Sequence, residues 1–157
     1  MERTVWGAGT GLQRLLELAE DMRETSFVPY GPLGMSIAHV EKGRTELAWT
    51  PPETLLNRGG VVHGGFIATA LDEVAGVAAI SLSEPATPFL TMSLNVDYLR
   101  PLHSGQSYTV VGAVQQSGRI RALVHSTISD DVGRLCAQAT VSLTPNRTLL
   151  RAAEAEA

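Results

Sequence analysis

The sequence predicts an α+β fold in which one antiparallel sheet curls around a long central helix. An apolar run over residues 66–82 has the length of a helix, and its charged residues are Asp72 and Glu73. A helix that is apolar nearly all round belongs inside a protein, so other elements must surround it. Two strand-like stretches precede this run and four follow it. Because neighbouring strands usually pair, an antiparallel sheet is the simplest wrapper, although pattern alone leaves other α+β folds open.

The N-terminal segment predicts an amphipathic helix. Thr10 and Gln13 have the spacing of a capping box, and the helical pattern that follows ends near Thr25. Its apolar residues recur at helical spacing: Leu12, Leu15, Leu16, Ala19 and Met22. A link rich in helix breakers follows at residues 29–34. The expected division of the chain is a helical extension at 1–28, a main domain at 29–145 and a C-terminal tail at 146–157.

Six segments have the composition of strands and are separated by turn signals. Their expected positions are residues 35–40, 44–49, 89–99, 107–116, 119–129 and 134–143. The tail after the last strand has the pattern of a frayed end or a short helix. Two strands, one buried helix and four further strands are the pattern of the hotdog fold. A chain of 157 residues suits one such domain, and no second domain is expected.

The composition argues against several classes of partner. The formal net charge is -4 and the basic residues are not clustered, which disfavours nucleic acid. The longest apolar stretch, residues 74–82, is shorter than the roughly 20 residues that span a bilayer, so no membrane contact is expected. The first residues lack a secretory pattern, which predicts a cytoplasmic protein. Cys136, the one cysteine, cannot form an internal disulfide and is expected in a buried strand.

The acidic pair in the central helix marks a candidate catalytic position. Burying an ionised carboxylate without a partner is costly, so such a group is either paired or functional. Asp72 shares its side of the helix with small residues that leave room for a ligand or a second subunit: Ala68, Ala75, Gly76 and Ala79. Glu73 points about 100° away, where a salt bridge or solvent accounts for it. Asp72 is therefore the candidate, and a structural carboxylate at a subunit interface is the alternative.

Gly64 and Gly65, at the expected helix start, form the second candidate position. The first N–H groups of a helix lack acceptors and lie at the positive end of its dipole, so they attract partial negative charge. Because glycine has no β-carbon, a substrate carbonyl can reach these amides, as in an oxyanion hole. Asp72 lies roughly 12 Å further along the helix, so one chain cannot present both groups to one carbonyl. If both act together, they come from two subunits related by a two-fold axis.

Two segments also resemble a known family. Residues 57–72, NRGGVVHGGFIATALD, and residues 91–101, TMSLNVDYLRP, resemble the phenylacetic-acid-degradation thioesterases of the hotdog superfamily. The resemblance covers roughly residues 30–144. It implies hydrolysis of acyl-coenzyme A thioesters without a metal or redox cofactor. It also implies a homodimer as the minimal unit, assembled further into a homotetramer.

The resemblance implies roles for individual residues. The N–H of Gly64 would bind the thioester oxygen, and Asn57 would position the thioester or the attacking water. Asp72 of the other subunit would act as general base or nucleophile, and Thr91 would orient the carboxylate or the water. His63 invites a role as general base. We favour a structural role, because a histidine just before a helix can hydrogen-bond the loop and orient the glycines.

For coenzyme A, the resemblance points to residues at strand ends and in one turn. They are Tyr98, Arg100, Ser117, Gly118 and Arg119, with Arg121 just beyond. Arginine suits phosphate because its N–H groups can bond two oxygens at once. Exposed turn residues without a ligand are the alternative for Arg119 and Arg121. Two other functions stay open: a protein that binds acyl-coenzyme A without turnover, and a hotdog dehydratase acting on hydroxyacyl thioesters.

Overall fold

The computed structural model describes Trp6, residues 9–24 and residues 31–155. In these ranges the chain forms helices and strands in the order expected from its sequence. They are α1 (Gly11–Glu24), β1 (Met35–Glu41), β2 (Arg44–Trp49), α2 (Gly64–Ser81), β3 (Phe89–Tyr98), β4 (Tyr108–Ser117), β5 (Ala122–Asp130), β6 (Leu135–Pro145) and α3 (Arg147–Ala155). Short 3₁₀ turns at Gly31–Leu33 and Glu53–Leu55 precede β1 and α2.

The six strands form one antiparallel sheet in the order β1-β2-β4-β5-β6-β3. Neighbours in sequence pair in β1–β2, β4–β5 and β5–β6, as expected. β3 differs, because it pairs with β6 and not with β4, so it becomes an edge of the sheet. The chain returns from this edge past Leu102, whose buried side chain and backbone bond to Val62 hold the connection. Within the described residues, the outer side of β3 has no neighbouring strand.

The central helix α2 packs against all six strands and against α1. Ten of its 18 residues are buried, which is why the sequence is apolar nearly all round the helix. By length and composition the helix could also cross a membrane, but its burial under the sheet accounts for its apolar residues. This arrangement is the predicted hotdog architecture, a six-stranded antiparallel sheet around one helix, with a further helix at the N-terminus.

The backbone of α2 lies very close to the sheet at Gly112 of β4. A β-carbon at Gly112 would lie 2.5 Å from the carbonyl oxygen of Val74, so a larger residue does not fit. Thr45 of β2 and Ser126 of β5 flank Gly112 in the same cross-strand row. Both side chains are fully buried, and their hydroxyl groups have no hydrogen-bond partner among the described residues. Small side chains in this row let the helix backbone lie close to the sheet.

Helix α1 begins with the predicted capping box. The Gln13 N–H donates to Thr10 Oγ1 at 3.2 Å, and the Thr10 N–H donates to Gln13 Oε1 at 3.1 Å. Leu15 and Ala19 are buried where α1 packs on β1 and α2. Thr25, where the helix was expected to end, and the expected domain boundary after residue 28 lie outside the described residues.

Other predicted boundaries are shifted by a few residues. The central helix begins at Gly64 and not at 66, because His63 caps it. The largest shift is at β5, which begins at Ala122 because residues 118–121 form a turn closed by the bond from Gly118 N–H to the Arg121 carbonyl at 2.9 Å. The C-terminal tail was expected to be either a frayed end or a short helix, and it forms the short helix α3. Cys136 is buried in β6, as predicted, and burial raises the pKa of its thiol.

We expect Gly112→Ala to lower the free energy of unfolding by about 1–3 kcal/mol, since the added methyl group meets the Val74 backbone and forces helix and sheet apart. Gly76→Ala in α2 is the matched control, because a β-carbon there meets no atom within 4 Å. The control should be neutral or should stabilise by up to about 1 kcal/mol. Urea denaturation measures both, and equal effects of the two substitutions would contradict the close contact.

Candidate active site

Asp72 lies half-buried in the middle of α2, beside the start of β3. The Thr91 hydroxyl donates a hydrogen bond to Asp72 Oδ1 at 2.8 Å. Asp72 Oδ2 accepts no hydrogen bond from the other described residues. The contact joins two residues whose pairing the family resemblance implied. It fixes the orientation of the carboxylate and leaves one oxygen available to a water or a substrate.

The helix surface around Asp72 is less open than its small residues suggested. Ala75 and Ala79 are buried inside the protomer and belong to the core, with 0% and 2% of their surface exposed. Ala68 and Gly76 stay partly exposed, one turn before and one turn after Asp72. Space for a ligand next to the carboxylate therefore lies along Ala68 and Gly76.

The start of α2 presents one free amide and not two. His63 is the N-cap, and its Nδ1 accepts a hydrogen bond from the Gly65 N–H at 2.9 Å. This bond occupies one member of the predicted glycine pair. Gly64 is the first residue of the helix, so its N–H has no acceptor in a preceding turn, and no other described residue accepts from it. The candidate oxyanion donor is therefore the Gly64 N–H alone.

Tyr98, expected to contact coenzyme A, lies against the helix start of its own protomer. Its hydroxyl donates to the Gly64 carbonyl oxygen at 2.9 Å. A β-carbon at Gly64 would lie 3.4 Å from the Tyr98 ring, so the ring covers one side of this glycine. The far end of β3 thus contacts Gly64, while its beginning contacts Asp72 through Thr91. Within one protomer, the two candidate groups lie at different ends of one edge strand.

Asn57 stabilises the loop in front of α2. Its Oδ1 accepts from the Gly59 N–H at 2.7 Å and from the Val61 N–H at 3.4 Å. Its backbone N–H donates to the Val61 carbonyl at 2.8 Å. The side chain is exposed, and no hydrogen bond joins it to Asp72 or Gly64 of the same protomer. The structure therefore does not bring Asn57 together with the other candidates inside one chain.

Arg100 borders a surface groove of about 300 Å³ near the end of β3. It donates to the Leu135 carbonyl oxygen. The same groove contains Arg134, whose Nε donates to Asp130 Oδ2 at 2.7 Å. Burial acts to raise the pKa of Asp130, but the hydrogen bonds and positive charge of Arg134 outweigh it and lower that pKa below its usual value. The two arginines of this groove are therefore already partnered.

Ser117 and Gly118 lie at the other end of the sheet, on a separate groove of about 420 Å³. The neighbouring Arg119 is exposed, and its carbonyl accepts from Arg147 of α3 at 3.0 Å. Arg121 is exposed in the same turn. The residues expected to contact coenzyme A thus fall at three separate places in one protomer.

Comparison with known proteins decides the family. The profile of the thioesterase superfamily matches residues 59–137, about half of the chain. A Saccharolobus solfataricus protein provisionally named an esterase is 32% identical over 120 residues, which cover 76% of this chain and 84% of that protein. The chain belongs to the thioesterase superfamily. A more distant relative is the medium/long-chain acyl-CoA thioesterase YigI of Escherichia coli, 26% identical over 125 residues that cover 70% of this chain and 80% of its own.

Solved structures of other proteins have the same fold. A phenylacetic acid degradation-related protein of Ralstonia eutropha superposes with a TM-score of 0.70 and 29% identity, over 80% of this chain and 98% of that one. The PaaI protein of Escherichia coli superposes with a TM-score of 0.74 and 19% identity, over 87% of this chain and 96% of that one. A Streptococcus mutans protein bound to acetyl CoA superposes with a TM-score of 0.67 and 24% identity, over 71% of this chain and 88% of that one. The predicted hotdog fold and PaaI-like family of this thioesterase-superfamily chain are confirmed.

The hydrogen bond from the Gly65 N–H to His63 gives the histidine a structural role as the cap of α2. Two substitutions test whether it also has a catalytic role. We expect His63→Ala to remove the cap and lower stability by about 1 kcal/mol, whereas His63→Asn should preserve it, because asparagine is a good N-cap. Chemical denaturation and thioesterase assays on both variants test this. If His63→Asn folds normally but loses turnover as completely as His63→Ala, His63 acts in the chemistry.

Proposed function

We propose that this thioesterase-superfamily protein hydrolyses acyl-coenzyme A thioesters to a free acid and coenzyme A. The observation that carries the proposal is the Asp72 carboxylate beside the edge strand β3. Thr91 holds one of its oxygens, and no other described residue donates a hydrogen bond to the second. The name of YigI and the acetyl CoA in the Streptococcus mutans structure support this substrate class. Hydrolysis of a thioester needs no metal or redox cofactor, and we propose none.

The assembly we propose is a homodimer joined through β3, with a homotetramer of two dimers as the larger unit. A long, unpaired edge strand readily pairs with another chain. Its apolar residues are exposed in the protomer: Leu90 at 53%, Met92 at 62% and Tyr98 at 54%. Antiparallel pairing about a two-fold axis between residues 94 and 95 would set Thr91 opposite Tyr98 of the partner subunit. Asp72 would then lie near the partner's Gly64, which one chain alone cannot achieve.

In such a site the thioester carbonyl oxygen accepts a hydrogen bond from the Gly64 N–H, where the helix dipole is also favourable. Asp72 then accepts a proton from water as the water oxygen attacks the carbonyl carbon. Alternatively, the carboxylate attacks first and forms an anhydride that water opens. In both routes the carbon–sulfur bond breaks, and coenzyme A leaves as a thiolate that takes up a proton.

The alternative functions fit these contacts less well. A hotdog dehydratase would pair a catalytic histidine with a carboxylate across the dimer, but Nδ1 of His63 is occupied by the Gly65 N–H. A protein that only binds acyl-coenzyme A has no use for a carboxylate held with one oxygen free. We propose a cytoplasmic location without membrane contact, as the sequence predicts.

Asp72→Asn should reduce turnover by about 10²–10⁴-fold, because the amide cannot accept the proton and is a poor nucleophile. Release of coenzyme A from a panel of acyl-coenzyme A esters, followed with a thiol reagent, measures this. Cys136 should add little background, since it is buried and its thiol pKa is raised. Glu73→Gln is the matched control and should keep most of the activity. Near-native turnover of Asp72→Asn would overturn the assignment.

Gly64→Pro removes the proposed oxyanion donor with little effect on the fold. Proline is favoured at the first position of a helix, and His63 already has the extended backbone, with φ -62° and ψ 134°, that a following proline requires. We expect a loss of about 10²–10³-fold in kcat with unchanged helix content. Gly64→Ala keeps the N–H and should retain more activity; equal losses in the two variants would argue against an oxyanion donor at this position.

A mixture of variants tests whether each site uses two subunits. If Asp72→Asn and Gly64→Pro chains are co-expressed in equal amounts, half of the dimers combine the two. Each such dimer has one site with both defects and one site with neither, so about a quarter of the wild-type turnover should return. Sedimentation at the same concentration should show dimers or tetramers. Absence of recovery in a confirmed mixed dimer would place both groups in one chain.

A further inference from the structure

The groove of about 420 Å³ lies beyond the C-terminal end of α2, between the loop after that helix, the β4–β5 turn and α3. Ala79 and Phe89 are among its lining residues. Ala79 is seven residues after Asp72 on α2, roughly 10 Å along the helix, and Phe89 is two residues before Thr91 on β3. The groove is therefore a neighbour of the Thr91–Asp72 contact. α3 itself lies outside residues 59–137 matched by the superfamily profile.

Two arginines of α3 give this groove its charge. Arg147 and Arg151 both line it and are four residues apart, so they lie on the same face of the helix. Like charges at this spacing repel each other. Neither arginine forms an ion pair within the described part of the chain, and Glu84 is the one acidic residue among those that line the groove. A bound anion would relieve the repulsion.

The position of Arg147 favours a phosphate as that anion. One terminal nitrogen of Arg147 donates to the Arg119 carbonyl at 3.0 Å, which anchors the guanidinium at the β4–β5 turn. No described residue accepts from the other N–H groups of Arg147, from those of Arg151 or from the exposed Ser117 hydroxyl. All of these groups can therefore donate to the oxygen atoms of a ligand. Arginine N–H groups match phosphate oxygens in geometry and charge.

We propose that this groove binds the phosphate groups at the nucleotide end of coenzyme A, with Arg147 and Arg151 as ligands. The proposal rests on the proposed function, because it places the thioester at Asp72. The pantetheine arm of coenzyme A is long enough to reach from that carboxylate to the groove. The Arg100 groove is the weaker candidate, because Asp130 there neutralises the charge of Arg134, whereas no acidic residue of the described chain forms an ion pair with Arg147 or Arg151.

Arg151→Gln is the cleanest test, since Arg151 makes no hydrogen bond to the rest of the described chain. We expect KM for an acyl-coenzyme A ester to rise about tenfold with kcat unchanged, as for the loss of one charge-assisted contact. The acyl-pantetheine thioester, which lacks the nucleotide, should react equally well with wild type and variant. Arg134→Gln, which makes the same charge change in the other groove, should leave both KM values near wild type.

Three results would overturn the proposal: an unchanged KM in Arg151→Gln, an equal rise for acyl-pantetheine, or a rise for coenzyme A esters in Arg134→Gln instead. Calorimetric titration with coenzyme A measures binding without turnover, so it tests the groove independently of the proposed function. Even if no thioester is hydrolysed, weaker binding of coenzyme A by Arg151→Gln supports the groove, and unchanged binding overturns it. Adenosine 3′,5′-bisphosphate should bind more tightly than inorganic phosphate; equal Arg151-dependent binding of both would assign the groove to free phosphate.

Discussion

The burial of α2 against the sheet is the constraint on which the rest of this structure depends. The helix backbone lies so close to β4 at Gly112 that no β-carbon fits between them. That contact sets the depth of the helix, and therefore the depth of Asp72 and the place where Gly64 emerges. The hydroxyl groups of Thr45 and Ser126, which flank Gly112, are enclosed without a hydrogen-bond partner among the described residues. Such groups are costly to bury.

The edge strand β3 fixes both candidate groups on this buried helix. Thr91 holds the carboxylate of Asp72, and Tyr98 holds the carbonyl of Gly64. The same strand is the exposed edge of the sheet, so the surface that would join two subunits also fixes the groups that would meet across the joint. The geometry of the candidate site and the proposed interface would thus depend on the same ten residues.

Much of this could be predicted from the sequence because the signals are local. The apolar run predicted the buried helix α2, the Thr10–Gln13 spacing predicted the capping box of α1, and the two glycines marked the start of α2. The position of β3 beside β6 could not be predicted, because strand order depends on long-range pairing that leaves no local pattern. The contact of Tyr98 with Gly64, 34 residues apart, was unforeseen for the same reason.

The site was predicted in outline and corrected in detail. Asp72 and Thr91 were both named from the sequence, and the structure joins them directly. The glycine pair was expected to supply two donors, but the cap formed by His63 takes the amide of Gly65. Ala75 and Ala79 share a helix face with Asp72 on a wheel, yet the sheet curls far enough to bury them. A helical wheel describes one helix and cannot show how far the surrounding strands extend.

The open edge of β3 has a consequence for how such an enzyme behaves at low abundance. If the proposed dimer separates, each protomer would still contain its carboxylate and its amide, but these groups would face water and not each other. Specific activity would then fall on dilution as the subunits separate, without any unfolding. The protein concentration would thus set the fraction of protomers in active dimers as well as the total rate of turnover.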